Sequence, residues 1–226
     1  MRRALLCVSR GVHATPMMAG RFAALASMVG RPEVSWTHAS VLQQRFASCA
    51  ALANYIRTEI EDEKERAEKP VKPEIPSGWT VEHEPGNMFF KLCKTYEDEE
   101  IVLHFKGTRE AEGDIFYDFK VFVVNGEKGV MFDLSYDHEI VVDRVIFLRD
   151  AKVAIKQSAL GQPHDPFIYP GPKMEDMEDN VVEAFIRYLE ARGVNDELGD
   201  FVLHYACWAE QVEYEQWLSD IHKFVA

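Results

Sequence analysis

Between Gly78 and Arg149 the chain alternates apolar and polar residues in short runs, and this period of two constrains the fold more than any other feature of the sequence. In the clearest run, Val130, Phe132, Leu134 and Tyr136 face one way while Met131, Asp133 and Ser135 face the other. Ile101, Leu103 and Phe105 repeat the pattern, and Ile115, Tyr117, Phe119, Val121 and Val123 extend it into a long apolar stripe. Six strand-like runs can be counted, the last of which, residues 140–149, reads as one long strand or two. Pro85-Gly86-Asn87, Glu97-Asp98 and Asn125-Gly126 are connections of hairpin length. Neighbouring strands are therefore expected to pair antiparallel, because a parallel crossover needs about a dozen residues or more. The result is an antiparallel sheet with one wet face.

Helical spacing flanks this region. From about Ser48 to Lys69, Leu52, Ala53, Ile56 and Ile60 recur on one face, followed by the charge run Glu61-Asp62-Glu63-Lys64-Glu65-Arg66. Asp62 with Arg66 and Glu65 with Lys69 are acid-before-base pairs one helical turn apart, which support a helix in water. Pro70 is expected to end it, and residues 70–76 read as an extended linker. After a Pro- and Gly-rich loop at 161–172, Asp176 or Asp179 is the expected cap of a helix carrying Val182, Phe185, Ile186 and Leu189, and Gly193 is placed to close it. A further segment holds Leu198, Phe201, Val202, Tyr205, Trp208 and Ala209. Its apolar spacing slips at Glu215 and Gln216 before Trp217, Leu218, Ile221, Phe224 and Val225. The slip marks either a break between two helices or one helix whose halves bury different faces.

Charge divides the chain in two. Residues 1–46 hold six arginines against the single acid Glu33, a net +5; with −13 overall, the remainder carries −18. An Arg-rich, acid-poor start of small and apolar residues is the composition of a mitochondrial transit peptide, with Arg45-Phe46-Ala47-Ser48 as a candidate cleavage neighbourhood. The expected organisation is a transit segment over 1–46 and one acidic α+β domain over 47–226. At 47% apolar residues the chain is too hydrophobic for a disordered acidic tail. Its negative charge disfavours direct binding of nucleic acid and favours basic protein partners. No apolar run reaches the length of a membrane span. Cys7, Cys49, Cys93 and Cys207 are too few and too scattered for a disulfide framework, and they point to a reducing compartment.

The sequence gives an enzyme reading no positive support. It has no phosphate-binding loop, dinucleotide fingerprint, nucleophile elbow or His-Glu-x-x-His motif. His204 and Cys207 lie three apart on an expected helix but lack a third ligand nearby, so no metal is expected. Cys93 with His104 or His138 is the one nucleophile and base pairing worth testing in a fold. Tyr205, Trp208 and Trp217 are most simply core or subunit contacts. The acidic clusters remain: Glu61, Asp62, Glu63 and Glu65; Glu97, Asp98, Glu99 and Glu100; and Glu110, Glu112 and Asp114. Each reads either as a solvated face or as part of a field that attracts basic proteins.

The loop Tyr169-Pro170-Gly171-Pro172, the helix end Tyr188-Leu189-Glu190-Ala191-Arg192-Gly193-Val194, and the closing Glu213-Tyr214, Trp217-Leu218, Ile221 and Lys223-Phe224-Val225 together resemble a known C-terminal signature. It is that of the mitochondrial acidic matrix protein family, also called the mitochondrial glycoprotein family, which includes the receptor for the globular heads of a complement component. The resemblance covers essentially residues 48–226. It implies an α+β fold: a twisted antiparallel sheet of about seven strands, with an N-terminal helix and C-terminal helices packed on one side, assembled as a ring-shaped homotrimer. Leu52, Ile56, Ile60, Trp217, Leu218, Ile221 and Phe224 are then the expected oligomer or core contacts of the helices. The resemblance also implies a non-catalytic adaptor or chaperone of the mitochondrial matrix, without a cofactor. Its partners would be basic, RNA-binding proteins, and it would support RNA processing, editing and translation. A structural assembly factor for mitoribosomal or respiratory complexes is the alternative, and a Cys/His hydrolase the most remote one. None of the five Asn residues begins a glycosylation sequon, so the word glycoprotein is not literal here.

Overall fold

A computed structural model describes residues 38–111, 113–162 and 167–226, with side chains from Cys49 onward. The expected transit segment therefore lies outside the described side chains, and most of it outside the described residues. What is described divides into two compact units. One comprises residues 68–214; the other comprises α1 (His38–Glu65), the two residues after it and residues 215–226.

The first unit is built on six strands in an uncrossed meander: β1 (Thr80–His83), β2 (Phe90–Tyr96), β3 (Glu99–Ala111), β4 (Asp114–Asn125), β5 (Lys128–Asp137) and β6 (Glu139–Leu148). Every pairing is antiparallel, as the short turns require. Residues 140–148 belong to a single strand. The resemblance implies about seven strands; the described sheet has six, and the chain after β6 turns into helix α2 (Ala151–Ala159) instead.

One face of the sheet carries the apolar stripes read from the sequence. Phe90, Ile101, Leu103, Phe119, Val121, Phe132, Leu134 and Tyr136 are all buried there. Full burial of a side chain of this size stabilises by about 1.5–3 kcal/mol. Against them lie α3 (Asp179–Glu190), through Phe185, Ile186 and Leu189, and the first half of α4 (Asp196–Val225), through Leu198, Phe201, Val202, Tyr205 and Ala209. Gly199 permits this approach, since a Cβ there would collide with the Tyr136 ring. The linker before β1 forms neither helix nor strand, and Lys72 sits over the Trp208 ring at 4.7 Å, which pins it to α4.

The second face is not simply wet, because a helix that the sequence reading did not include lies on it. Helix α2 covers part of this face, packing Ala151 and Ala154 onto Val102, Phe122, Met131 and Ile146. Asp150 caps it by accepting a hydrogen bond from the Val153 amide at 3.0 Å. Two further local expectations are also corrected. Neither Asp176 nor Asp179 caps α3, whose N-cap is Glu178 without a side-chain hydrogen bond. Helix α1 starts ten residues earlier than its apolar spacing indicates and ends at Glu65, so Glu65 and Lys69 do not share a helix. Gly193, at φ 79°, does close the turn after α3, where the Val194 amide bonds to the Leu189 carbonyl at 3.0 Å.

The slip at residues 215–216 resolves as one helix, because α4 runs unbroken for 30 residues. The boundary between the two units falls at Tyr214 and Glu215, on the slip itself. Beyond it Leu218 is buried, whereas Trp217 is 54% and Phe224 88% exposed. Ile221 is half-buried. On α1, Ile56 and Ile60 are half-buried and Leu52 is exposed. Among the described residues no helix is long and apolar enough to cross a membrane.

Candidate functional site

The β2–β3 hairpin carries the acidic group with the most defined geometry. Tyr96 pairs with Glu99, so Glu97 and Asp98 form a two-residue connection, and Glu97 adopts φ 51°. Left-handed backbone at such a turn is normally given to Gly, Asn or Asp, which occupy it with least steric cost. A glutamate there places an exposed carboxylate at the apex at some expense in local backbone energy. Asp98 and Glu100 are exposed beside it.

Glu99 does something different. Its two oxygens receive the Arg192 guanidinium at 2.7 and 3.1 Å, with only 13% of the arginine side chain and 19% of the glutamate side chain exposed. The guanidinium also lies 3.4 Å from the centre of the Tyr188 ring and bonds to the Tyr188 carbonyl at 2.9 Å. This bidentate, stacked pair ties the hairpin to the end of α3. The sequence grouped Glu99 with its neighbours because spacing alone does not reveal a partner 93 positions away. Arg192 stood inside a recognised motif but had no role attached to it.

The Glu110 and Asp114 group is separate from this one. Glu110 and Asp114 are exposed at the far end of β3, roughly 30 Å along the strand from Glu100. Glu112 lies outside the described residues. Glu61, Asp62 and Glu65 are exposed on the last turns of α1, in the second unit, while Glu63 is half-buried and pairs with Arg66 at 3.2 Å. The first two clusters are thus separated by several Debye lengths at physiological salt and act as distinct patches.

The candidate chemical pairs find no catalytic geometry. Cys93 and His104 project from the same face of the sheet, but they sit on different cross-strand rows, Cys93 opposite Val102 and His104 opposite Lys91. Burial pushes the Cys93 thiol up, the reverse of what a nucleophilic thiolate needs. His104 is fully buried, and burial together with Lys91 and Lys120 lowers its pKa to about 4. His138 is exposed at the β5–β6 turn, at φ 66°. His204 is exposed, with Nδ1 2.7 Å from the Asp200 carbonyl, whereas Cys207 is buried with Sγ 3.4 Å from the Tyr117 hydroxyl. Among the described residues no group of three potential metal ligands comes together.

With this geometry in view, the comparisons with known proteins are specific. The family model described as MAM33, mitochondrial glycoprotein, matches residues 106–225. The chain belongs to the mitochondrial glycoprotein family. The matched stretch runs from the middle of β3 through both C-terminal helices, and so takes in β4, β5 and β6 with α3 and α4 but not β1 or β2. The crystal structure of the Trypanosoma brucei p22 protein is similar at 42% identity and a TM-score of 0.74, covering 80% of this chain and 100% of that one. A Leishmania major protein of unknown function, titled a sequence homologue of human p32 protein, is 32% identical with a TM-score of 0.69, covering 78% of this chain and 99% of that one.

The curated relatives match over shorter stretches. The mitochondrial acidic protein mam33 of Schizosaccharomyces pombe is 22% identical over 44% of this chain, and an uncharacterised mitochondrial protein of Arabidopsis thaliana is 31% identical over 27% of it. These matches span 38% and 24% of the two relatives' own lengths. The family and the names of both relatives set the chain among mitochondrial proteins.

Proposed function

We propose that the chain is a non-catalytic acidic adaptor of the mitochondrial matrix that binds Arg- and Lys-rich RNA-binding proteins and through them supports RNA processing, editing or translation. The observation that carries this reading is the hairpin apex. Glu97 keeps a carboxylate where a glycine or asparagine would sit more easily, and the Glu99–Arg192 pair holds the hairpin to α3. A solubilising surface has no need of either, whereas a contact site for basic side chains benefits from charges held in place. The net −18 outside residues 1–46 supplies the field that steers such partners, and it disfavours a direct grip on RNA.

Two further elements belong to the same reading. Residues 1–46 act as a transit peptide removed on import, in keeping with their arginine content. The mature chain forms a homotrimer, for which the apolar side chains left exposed on one protomer, Phe147 and Tyr169 in the first unit and Trp217 and Phe224 in the second, offer contact area.

Proximity labelling from the mature chain in the matrix tests the adaptor reading. Proteins with basic, RNA-binding regions should dominate the labelled set. A set with no enrichment in Lys- and Arg-rich proteins would contradict it.

A further inference from the structure

Strand β3 runs on past β2. The β2 ladder reaches His104 of β3, opposite Lys91, and from Gly107 to Ala111 the described ladder pairs β3 with β4 alone, after a register shift at Lys106. The corner left there, between the loop entering β2, the end of α2 and the first half of α4, is a cavity of about 690 Å³. That is the size of a small-molecule site. The acidic surface described above does not reach it.

Its walls differ in chemistry. Met88, Phe89, Phe105 and Tyr117 make an apolar lining, while Lys106 and Lys120 bring two ammonium groups to one side. Both ammonium groups approach the same carboxylate oxygen, Asp133 Oδ1, at 3.8 and 3.9 Å, and so lie within about 8 Å of one another. One carboxylate thus offsets two cations, and neither reaches hydrogen-bonding distance of it. Burial lowers the Lys120 pKa, the mark of an ammonium group short of solvation. Glu210 lines the cavity on the α4 side.

His104 also lines the cavity. Its ring lies edge-on between Phe89, 5.1 Å away, and Phe122, 5.2 Å away, and its Nδ1 is 3.0 Å from the Ser158 hydroxyl. Nε2 is buried without a hydrogen-bond partner. Buried ring nitrogens are ordinarily satisfied. Where the Ser158 hydroxyl donates to Nδ1, Nε2 carries the proton of a neutral imidazole; where the hydroxyl accepts, Nε2 is the bare acceptor, and in either tautomer it lacks a partner.

We propose that this cavity binds a small amphipathic carboxylic acid, its carboxylate held between Lys106 and Lys120 beside the His104 ring, and its apolar body laid against Phe89 and Phe105. A diffuse apolar cleft would not place two lysines that share a single carboxylate oxygen on one wall. The lysine wall sets the direction of binding, since it holds the two ammonium groups that a carboxylate pairs with.

Calorimetric titration of the full chain with decanoate, and with decan-1-ol as its neutral twin, tests this. Decanoate should bind once per chain, with about tenfold higher affinity than the alcohol, and should move the nitrogen-15 shift of His104 Nε2. Lys106→Met, at an exposed position, should weaken decanoate several-fold and leave the alcohol unchanged; the double variant with Lys120→Met should weaken it further. Equal affinity for acid and alcohol, no binding of either at millimolar concentration, or decanoate affinity untouched by Lys106→Met would each overturn the proposal. If the double variant does not fold, Lys106→Met and the His104 shift in the unaltered chain decide the matter. None of these substitutions touches the acidic clusters, so failure here leaves the adaptor reading to its own test.

Discussion

At the residue scale, His104 gives the chain a built-in sensitivity to acid. An unfolded histidine titrates near pH 6.5, whereas His104 in the fold stays neutral to about pH 4. Between those values the unfolded chain holds a proton that the folded chain does not. Stability from this group therefore rises with pH across the window, and is lost as pH falls from about 6.5 towards 4, by about 2–3 kcal/mol in all. Urea unfolding of the natural chain and of His104→Phe at neutral pH and at about pH 4.5 should show the natural chain losing more by roughly that amount. Equal losses would mean that the ring is accessible to protons in the fold. The sequence offered His104 only as a possible base, because a polar residue inside an apolar stretch of β3 does not disclose which face it takes or what closes over it. Glu99 was misgrouped for a related reason, since its partner comes from a distant helix. Replacing Arg192 by Ala leaves a half-buried carboxylate unpaired and should cost about 1.5–3 kcal/mol by the same unfolding assay.

At the scale of elements, legibility followed burial on one face. Strands β3, β4 and β5 and the first half of α4 pack large apolar side chains in regular order, so period alone located them. Helix α2 escaped because it meets the sheet through Ala151 and Ala154, too small to make an apolar stripe, while Val153 faces outward. Its readable signal was Asp150, a capping residue directly after the run 140–149 that read as one long strand or two. The α3 start misled in the opposite way: two aspartates offered caps that the backbone did not use. Close packing also reverses a propensity argument at Gly199. Gly→Ala inside a helix ordinarily stabilises by about 1 kcal/mol. Here the added methyl meets the Tyr136 ring, so Gly199→Ala should instead lower stability by about 1–3 kcal/mol in thermal or urea unfolding, and a stabilised variant would contradict the packing described.

At the scale of the whole molecule, the charge split and the exposed apolar side chains point in different directions, one to partners and the other to self-association. The fold class was legible because sheet period, hairpin turns and flanking helices agree with one another. The acidic surface was legible only as composition: which carboxylates are exposed, and that two clusters sit at opposite ends of one strand, required the register of β3. If Trp217 and Phe224 lie between subunits, Trp217→Ala and Phe224→Ala should shift the mature chain from trimer to monomer in analytical ultracentrifugation, with little change in far-ultraviolet circular dichroism. An intact trimer in both variants would move the interface elsewhere.

The central claim, that carboxylates held at a fixed hairpin apex recruit basic proteins, is tested most directly by association kinetics with an Arg-rich RNA-binding domain, measured by surface plasmon resonance. The informative variant combines Glu97→Asn, Asp98→Asn and Glu100→Gln and spares Glu99, so the bond to Arg192 remains. Asparagine suits the left-handed position at Glu97, and the variant should be at least as stable as the natural chain. Its association rate should fall about tenfold at low salt, and the two rates should converge as ionic strength rises and the Debye length shrinks from about 10 Å at 0.1 M to about 3 Å at 1 M. A correctly folded variant that associates as fast as the natural chain at every salt concentration would contradict the account.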